Sequence, residues 1–317
     1  MGAGAIGGVV GARLHESGAD VLLVARGRHA EVIASDGLTL VEPDREINVR
    51  IPVVTHLADA AVSPDDRVLL AVKSQDTAAA LEDVDAPARS MPIACLQNGV
   101  VNERVVGAVF PETYGVVVMM PAAHLEPGRV EAYAAPIPGL FDVGRADGGV
   151  DDVARELTAA LSAAGFDART VPRVLRWKHT KLLMNLGNAV EAMCGLDDAA
   201  GDLIGRARRE GVTCFAAAGI EYASSAEERE RRGDLLQVRE IAGAPRGGGS
   251  SWQSLARGLG TIEADALNGE IVRVGARVGV PTPVNTLLRD RAIAAAAARV
   301  APGSIPAADL LAALSSA

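Results

Sequence analysis

Along the first half of the chain, short unbroken apolar runs alternate with stretches in which apolar residues recur every three to four positions. The runs are bounded by charged residues, glycine and proline, and they read as strands of a sheet covered on both faces, each followed by a helix. "ADVLLVARG", "DDRVLLAVKS" and "MPIACLQNG" are three such runs, and each leaves a polar residue, Arg26, Lys73 or Asn98, just past its end. "YGVVVMM" and "RVEAYAAPIPGLFDVGR" continue the strand pattern, and a helix "VARELTAALSAAG" with a strand-like "FDARTVP" closes it. A first helix is predicted over Ala5–Ser17. From about Arg173 onward two-residue alternation nearly disappears and long helical patterns take over. The chain therefore predicts an α/β protein of two domains: a doubly wound parallel sheet over residues 1–172 and an all-helical domain over 173–317. Ligands of open α/β sheets bind beyond the carboxyl ends of the strands, so Lys73 and Asn98 are candidate site residues.

The opening "MGAGAIGGVV" adds chemistry to that pattern. Gly2, Gly4 and Gly7 have the spacing of a Rossmann dinucleotide turn, in which N–H groups at a helix start, here around Ala5 and Ile6, hold a pyrophosphate. With 34 glycines in the chain the spacing alone is weak, but the helix and strand that follow it are in the right places. That strand ends in Arg26 where an acidic residue would bind a free ribose 2′-hydroxyl, and a guanidinium there favours NADP over NAD. Arg28 either assists it or is a solvated loop arginine. The central strand that should precede the turn is represented by Met1 alone. About four to six apolar residues are expected before it, the length of an ordinary short strand.

Composition narrows the function classes. The chain has 317 residues, is 49% hydrophobic and 22% charged, and can bury a sizeable core. A formal net charge of −9 with scattered Lys and Arg gives no basic stripe, which argues against a nucleic-acid partner. Cys95, Cys194 and Cys214 are far apart and show no metal-type spacing, as suits core residues in a reducing cytoplasm. No apolar run reaches the length of a membrane span, and the apolar start lacks the basic flank of a secretion signal.

In "WKHTKLLMNLGNAVEAM", residues 177–193, a single helix would place Lys181, Asn185, Asn188 and Ala192 within about a quarter turn, with apolar residues covering the other faces. So narrow a polar stripe suits a cleft in which a lysine polarises a carbonyl and protonates the alkoxide while amides orient the substrate. A plain solvated stripe is the alternative, and Lys178 lies at its margin. In "GGGSSWQSLARGLGTIEADALNGEIV", Leu255, Leu259, Ile262 and Ala266 make one core-facing helical stripe that leaves Glu263 beside it. Ser250 and Gln253 fit a capping box. The charged "SAEERERRGD", residues 225–234, reads as a solvated helix end.

Taken together, "GAGAIGG", the strand ending in Arg26, "VKSQDT", "LQNGV", "KLLMNLGNAVEAM" and "SSWQSLARG…GVPTPVN" resemble the ketopantoate (2-dehydropantoate 2-) reductase family in order and spacing. The resemblance implies a Rossmann domain followed by a helical domain like that of 6-phosphogluconate dehydrogenase. It also implies NADPH reduction of a 2-oxo acid, with ketopantoate of the pantothenate pathway as the leading substrate. Catalytic roles are implied for Lys181 and Glu263, and substrate contacts for Asn185, Asn188, Ser251 and Asn98. Cofactor contacts are implied for Gly2, Gly4, Ala5, Ile6, Gly7, Arg26, Lys73, Gln75 and Asn98. The expected partner is a small 2-oxo acid, with no nucleic acid or membrane and a homodimer left open. The chain departs from the family in having Asn188 seven positions after the lysine, with Ala189 at the eighth, and in lacking an asparagine near residue 199. A reductase acting on another carbonyl compound and a non-catalytic NADPH-sensing protein are the alternatives. His124 and His179 are left unassigned.

Overall fold

The structure, a computed structural model, describes residues 1–82, 84 and 90–315. Its strands are β1 (Leu23–Val24), β2 (Leu38–Glu42), β3 (Arg45–Val49), β4 (Val53–Val54), β5 (Val68–Leu70), β6 (Ile93–Cys95), β7 (Thr113–Met119), β8 (Ala122–Ala123), β9 (Arg129–Ala132), β10 (Ala134–Pro136), β11 (Leu140–Arg145), β12 (Asp167–Thr170) and β13 (Leu236–Val238). Its helices are α1 (Ala5–Glu16), α2 (Gly27–Asp36), α3 (Thr77–Glu82), α4 (Val101–Gly107), α5 (Asp152–Ala163), α6 (Val174–Asn185), α7 (Asn188–Cys194), α8 (Asp198–Ala218), α9 (Ser225–Arg232), α10 (Ser250–Ala256), α11 (Asn268–Val278), α12 (Pro283–Ala297) and α13 (Ala307–Ser315). They divide into two compact units, Met1–Lys178 with Ser224–Arg246, and His179–Ala223 with Gly247–Ala317.

The first unit is α/β. A five-stranded sheet runs β12-β11-β7-β6-β5, with β5, β6 and β7 mutually parallel and β11 antiparallel to β7. Alternation along β6 sends Ile93 and Cys95 into one apolar cluster, with Leu70, Val106 and Phe110, and Ala94 and Leu96 into another, with α1, Val116, Phe141 and Leu161. That two-sided burial is why the strands read as continuous apolar runs. β1 pairs in parallel with β4. Between β1 and β5 lies the backbone of Met1 and Gly2: the Met1 amino group donates to the Leu69 carbonyl, the Met1 carbonyl accepts from Ala71 N–H and Gly2 N–H donates to the Val24 carbonyl, each at 2.8 Å. The slot assigned to a central strand is spanned by these two residues.

The pattern from residue 173 onward is helical with one exception. β13 pairs antiparallel with β10, and residues 224–246 count with the first unit, so the division is not a single cut at residue 172. The expectation that residues 225–234 form a solvated helix end is corrected in the same place. Ser224 and Glu227 cap α9 reciprocally, but its Glu228 and Arg231 are buried. Arg231 donates to Asp142 at 2.7 Å and to Asp167 at 2.6 Å, and Arg169 also reaches Asp142, at 2.9 Å. A helix as charged as this one turns inward because two sheet carboxylates meet its guanidinium.

In the second unit α8 packs against α11, α12, α13 and α7. Gly211 lets α8 approach closely, since a Cβ there would sit 2.7 Å from Leu183 Cδ2. His179 stacks edge-on against Phe215 with ring centroids 5.2 Å apart. No described helix is long and apolar enough to cross a membrane.

Candidate active site

At the glycine turn, Gly2 has φ +89° and a Cβ there would lie 2.7 Å from Val72 N, so only glycine fits. Gly4 is the N-cap of α1, with no side-chain cap and no acidic residue in the first turn. A Cβ on Gly4 would meet His124 Nδ1 at 3.7 Å and otherwise open space. The first N–H groups of α1, at Ala5, Ile6 and Gly7, thus have no side-chain cap. Arg26 is exposed and is the N-cap of α2, whereas Arg28 forms an exposed 3.1 Å pair with Glu31 within α2. Not singled out by sequence was His29. Its Nδ1 accepts from Gly128 N–H at 2.8 Å, so Nε2 carries the hydrogen it donates to the Ala3 carbonyl at 2.7 Å. The His124 ring lies 4.1 Å away, centroid to centroid. His29 thus braces the turn with His124 packed on its ring, and no spacing rule in the sequence links residue 29 to residue 3.

The carboxyl edge of the sheet carries Lys73, Gln75 and Asn98. Lys73 caps a short 3-10 turn at Ser74–Asp76, which exposes Gln75, and Asn98 follows β6. A buried polar network joins the two loops. Gln97 Nε2 donates to Thr77 Oγ1 at 3.0 Å, which donates to Asn102 Oδ1 at 2.8 Å, and Asn102 Nδ2 reaches Ser74 Oγ at 3.0 Å and the Asn98 carbonyl at 3.4 Å. Lys178 is buried against the same loop. Its ammonium donates to the Glu103 carboxylate, to the Gln97 carbonyl at 2.9 Å and to the Cys95 carbonyl at 3.4 Å. Burial pushes the Glu103 carboxyl up and the Lys178 charge opposes it. Lys178, the rival to Lys181, has all three donors committed.

In the second unit the single helix expected over residues 177–193 is broken. α6 ends at Asn185 and α7 begins at Asn188, with Leu186 and Gly187 between them. A Cβ on Gly187 would crowd Ile204 at 3.1 Å, and the Leu186 carbonyl accepts instead from Asn268 Nδ2 at 3.1 Å. Lys181 and Asn185 still lie one turn apart on α6, but Asn188 opens a new helix and does not continue their stripe. Asn185 Nδ2 is buried with no protein partner.

The helical stripe through Leu255, Leu259, Ile262 and Ala266 is also corrected. α10 stops at Ala256, Gly258 and Gly260 take φ +59° and +73°, and Leu259 is 41% exposed. Glu263 lies in the turn before α11 and is 5% exposed, so it is buried by a turn and not by a helix face. The expected capping box is not formed: Gly249 is the N-cap, and Gln253 Nε2 donates to the Gly248 carbonyl at 3.3 Å. Ser251 is buried on α10, which packs on α7 and is tethered by Gly249 N–H to Glu191 Oε1 at 3.0 Å. From Asn268 the polar chain continues to Asn285 Oδ1 at 3.0 Å and from Asn285 to Glu210 at 2.8 Å.

A glycine turn of the dinucleotide-binding kind at the head of a parallel sheet, followed by a helical unit, is an arrangement found in nicotinamide-dependent oxidoreductases. Residues 1–148 match the family described as "Ketopantoate reductase PanE/ApbA", and residues 173–295 match its C-terminal part. The 2-dehydropantoate 2-reductase of Halobacterium salinarum is 30% identical over 92% of this chain and 95% of its own. That of Pyrococcus horikoshii is 28% identical over 91% and 93%. The crystal structure of a PanE/ApbA family ketopantoate reductase from Ralstonia eutropha JMP134 superposes with a TM-score of 0.78 at 28% identity, covering 94% of this chain and 98% of that one. D-mandelate dehydrogenase, solved with NADH and anilino(oxo)acetate, shares the fold at a TM-score of 0.79 and 22% identity, over 94% and 97% of the two chains. The chain belongs to the ketopantoate reductase family, and it is an oxidoreductase acting on a CH–OH group.

Proposed function

We propose that the protein reduces a 2-oxo acid to the 2-hydroxy acid with NADPH, with ketopantoate to pantoate as the leading reaction. The observation that carries this reading is Asn185 Nδ2, a buried donor without a protein partner one turn after Lys181. Leaving such a group unpaired costs about 1–3 kcal/mol, and a bound substrate oxygen would remove that cost. The cofactor supplies the hydride when bound. Gly2, Gly4, Ala5, Ile6 and Gly7 receive its pyrophosphate, Arg26 its 2′-phosphate, and Lys73, Gln75 and Asn98 border the sheet edge where the reacting end belongs. Lys181 polarises the carbonyl and gives its proton to the developing alkoxide. Glu263 hydrogen-bonds a substrate hydroxyl or helps keep Lys181 charged, and Asn185, Asn188 and Ser251 orient the acid. The experiment is an NADPH absorbance assay against a panel of 2-oxo acids. Turnover of ketopantoate above all others supports the reading. Because Asn188 opens α7, the panel includes bulkier 2-oxo acids, and a preference for one of them moves the substrate while keeping the reaction. NADPH binding without turnover of any of them would favour a sensing role.

A further inference from the structure

Lys178 and Glu103 form an ion pair in which each side chain is 2% exposed. Taking two charges out of water costs so much that an apolar pair of the same volume is often at least as stable, so stability is a poor explanation for this one. What the pair does hold is backbone. The Lys178 ammonium takes the carbonyl of Cys95, the last residue of β6, and that of Gln97 two residues on, while Asn102 Nδ2 takes the Asn98 carbonyl in the same loop. Gln97 and Asn98 are thereby each held by the backbone carbonyl. Gln97 is fixed a second time by its own amide, which donates to Thr77.

We propose that Lys178 is a positioning residue for the reaction, clamped by Glu103 so that it holds the loop from which Asn98 is presented to cofactor and substrate. The role is geometric, and Lys178 transfers no proton. This inference rests on the functional reading of Asn98 given above.

The test replaces both partners, since Lys178→Met alone would strand a buried carboxylate and could unfold the protein. In the double variant Lys178→Met/Glu103→Leu, removing two buried charges offsets part of the cost of leaving the Gln97 and Cys95 carbonyls without a donor, and the melting temperature is expected to fall by less than about ten degrees. Turnover of the best 2-oxo acid should nevertheless fall at least about tenfold, with a smaller change in NADPH affinity. Adding Asn98→Ala to that variant should cost much less than it costs in the parent, because both changes act through one group. Hydrogen exchange of residues 96–102 should rise at least about tenfold while β7 keeps its protection. Parental turnover and parental loop exchange in the double variant, with the melting temperature within that range, would overturn the proposal. So would losses that simply multiply with Asn98→Ala. If the parent reduces no 2-oxo acid, the functional reading fails on its own, and loop exchange still decides whether Lys178 positions Asn98.

Discussion

Both units hold polar candidate residues with buried side-chain networks, but they do so from different starting points. In the first unit, Ser74, Thr77, Gln97, Asn102 and the Lys178–Glu103 pair hold loops that continue β5 and β6. The strands have already aligned those loops at one sheet edge, and the network trims only the last residues. In the second unit, Glu210, Asn285 and Asn268 hold the Leu186 carbonyl at a break between α6 and α7. A broken helix leaves carbonyls with no partner of its own, and the Leu186 carbonyl takes its donor from Asn268, 82 positions away in sequence. Sheet topology aims a site by itself, whereas a helix break needs distant polar groups to be aimed at all.

The comparison breaks most severely at Lys181. Lys181→Ala should lower turnover about 100- to 10,000-fold while NADPH affinity stays within about threefold, measured by steady-state kinetics and cofactor fluorescence. An equal loss of cofactor affinity would mean that the change damages the first unit as well. Next in size is Asn268→Ala, which leaves the Leu186 carbonyl and Asn285 Oδ1 unpaired at a fully buried point. Denaturant unfolding should register about 2–4 kcal/mol of lost stability, or ~30- to 1,000-fold in the unfolding equilibrium. The counterpart Asn102→Ala should cost about 1–2 kcal/mol, because Gln97 and Thr77 still pair. Equal costs at the two asparagines would erase the contrast between the units.

The smaller effects concern the cofactor's phosphate. Arg26→Asp should shift preference from NADPH toward NADH by about 10- to 100-fold in kcat/KM, since a repelling charge replaces a bidentate donor at the α2 N-terminus. Equal use of both cofactors by the unmodified protein would refute the assignment. Arg28→Ala, by contrast, removes only an exposed pair with Glu31, and NADPH affinity should change by less than about twofold.

α1, β6, α5 and the sheet-edge positions of Lys73 and Asn98 follow from local pattern, because apolar periodicity and turn residues act over a few neighbours. The glycine turn was equally legible, since Gly2 is required by its positive φ and Gly7 by the close approach of the Gly2 carbonyl. Glu263 and Asn185 were legible as residues but not as geometry. Period 3.6 carried a helix through Leu259 and another through Gly187, and both stop short. Gly258 and Gly260 end the first, and close packing against Ile204 with Asn268 on the Leu186 carbonyl breaks the second. The chain's order of apolar runs, its glycines and its lysines determined by themselves an α/β unit with a glycine turn at a helix start and a helical unit with Lys181 and Asn185 one turn apart. Only the tertiary structure decided that Lys178 is buried on Glu103, that His29 braces Ala3 and that α9 turns Arg231 onto Asp142 and Asp167. Each of these joins residues at least twenty-six positions apart, where no local spacing operates and desolvation selects the partner.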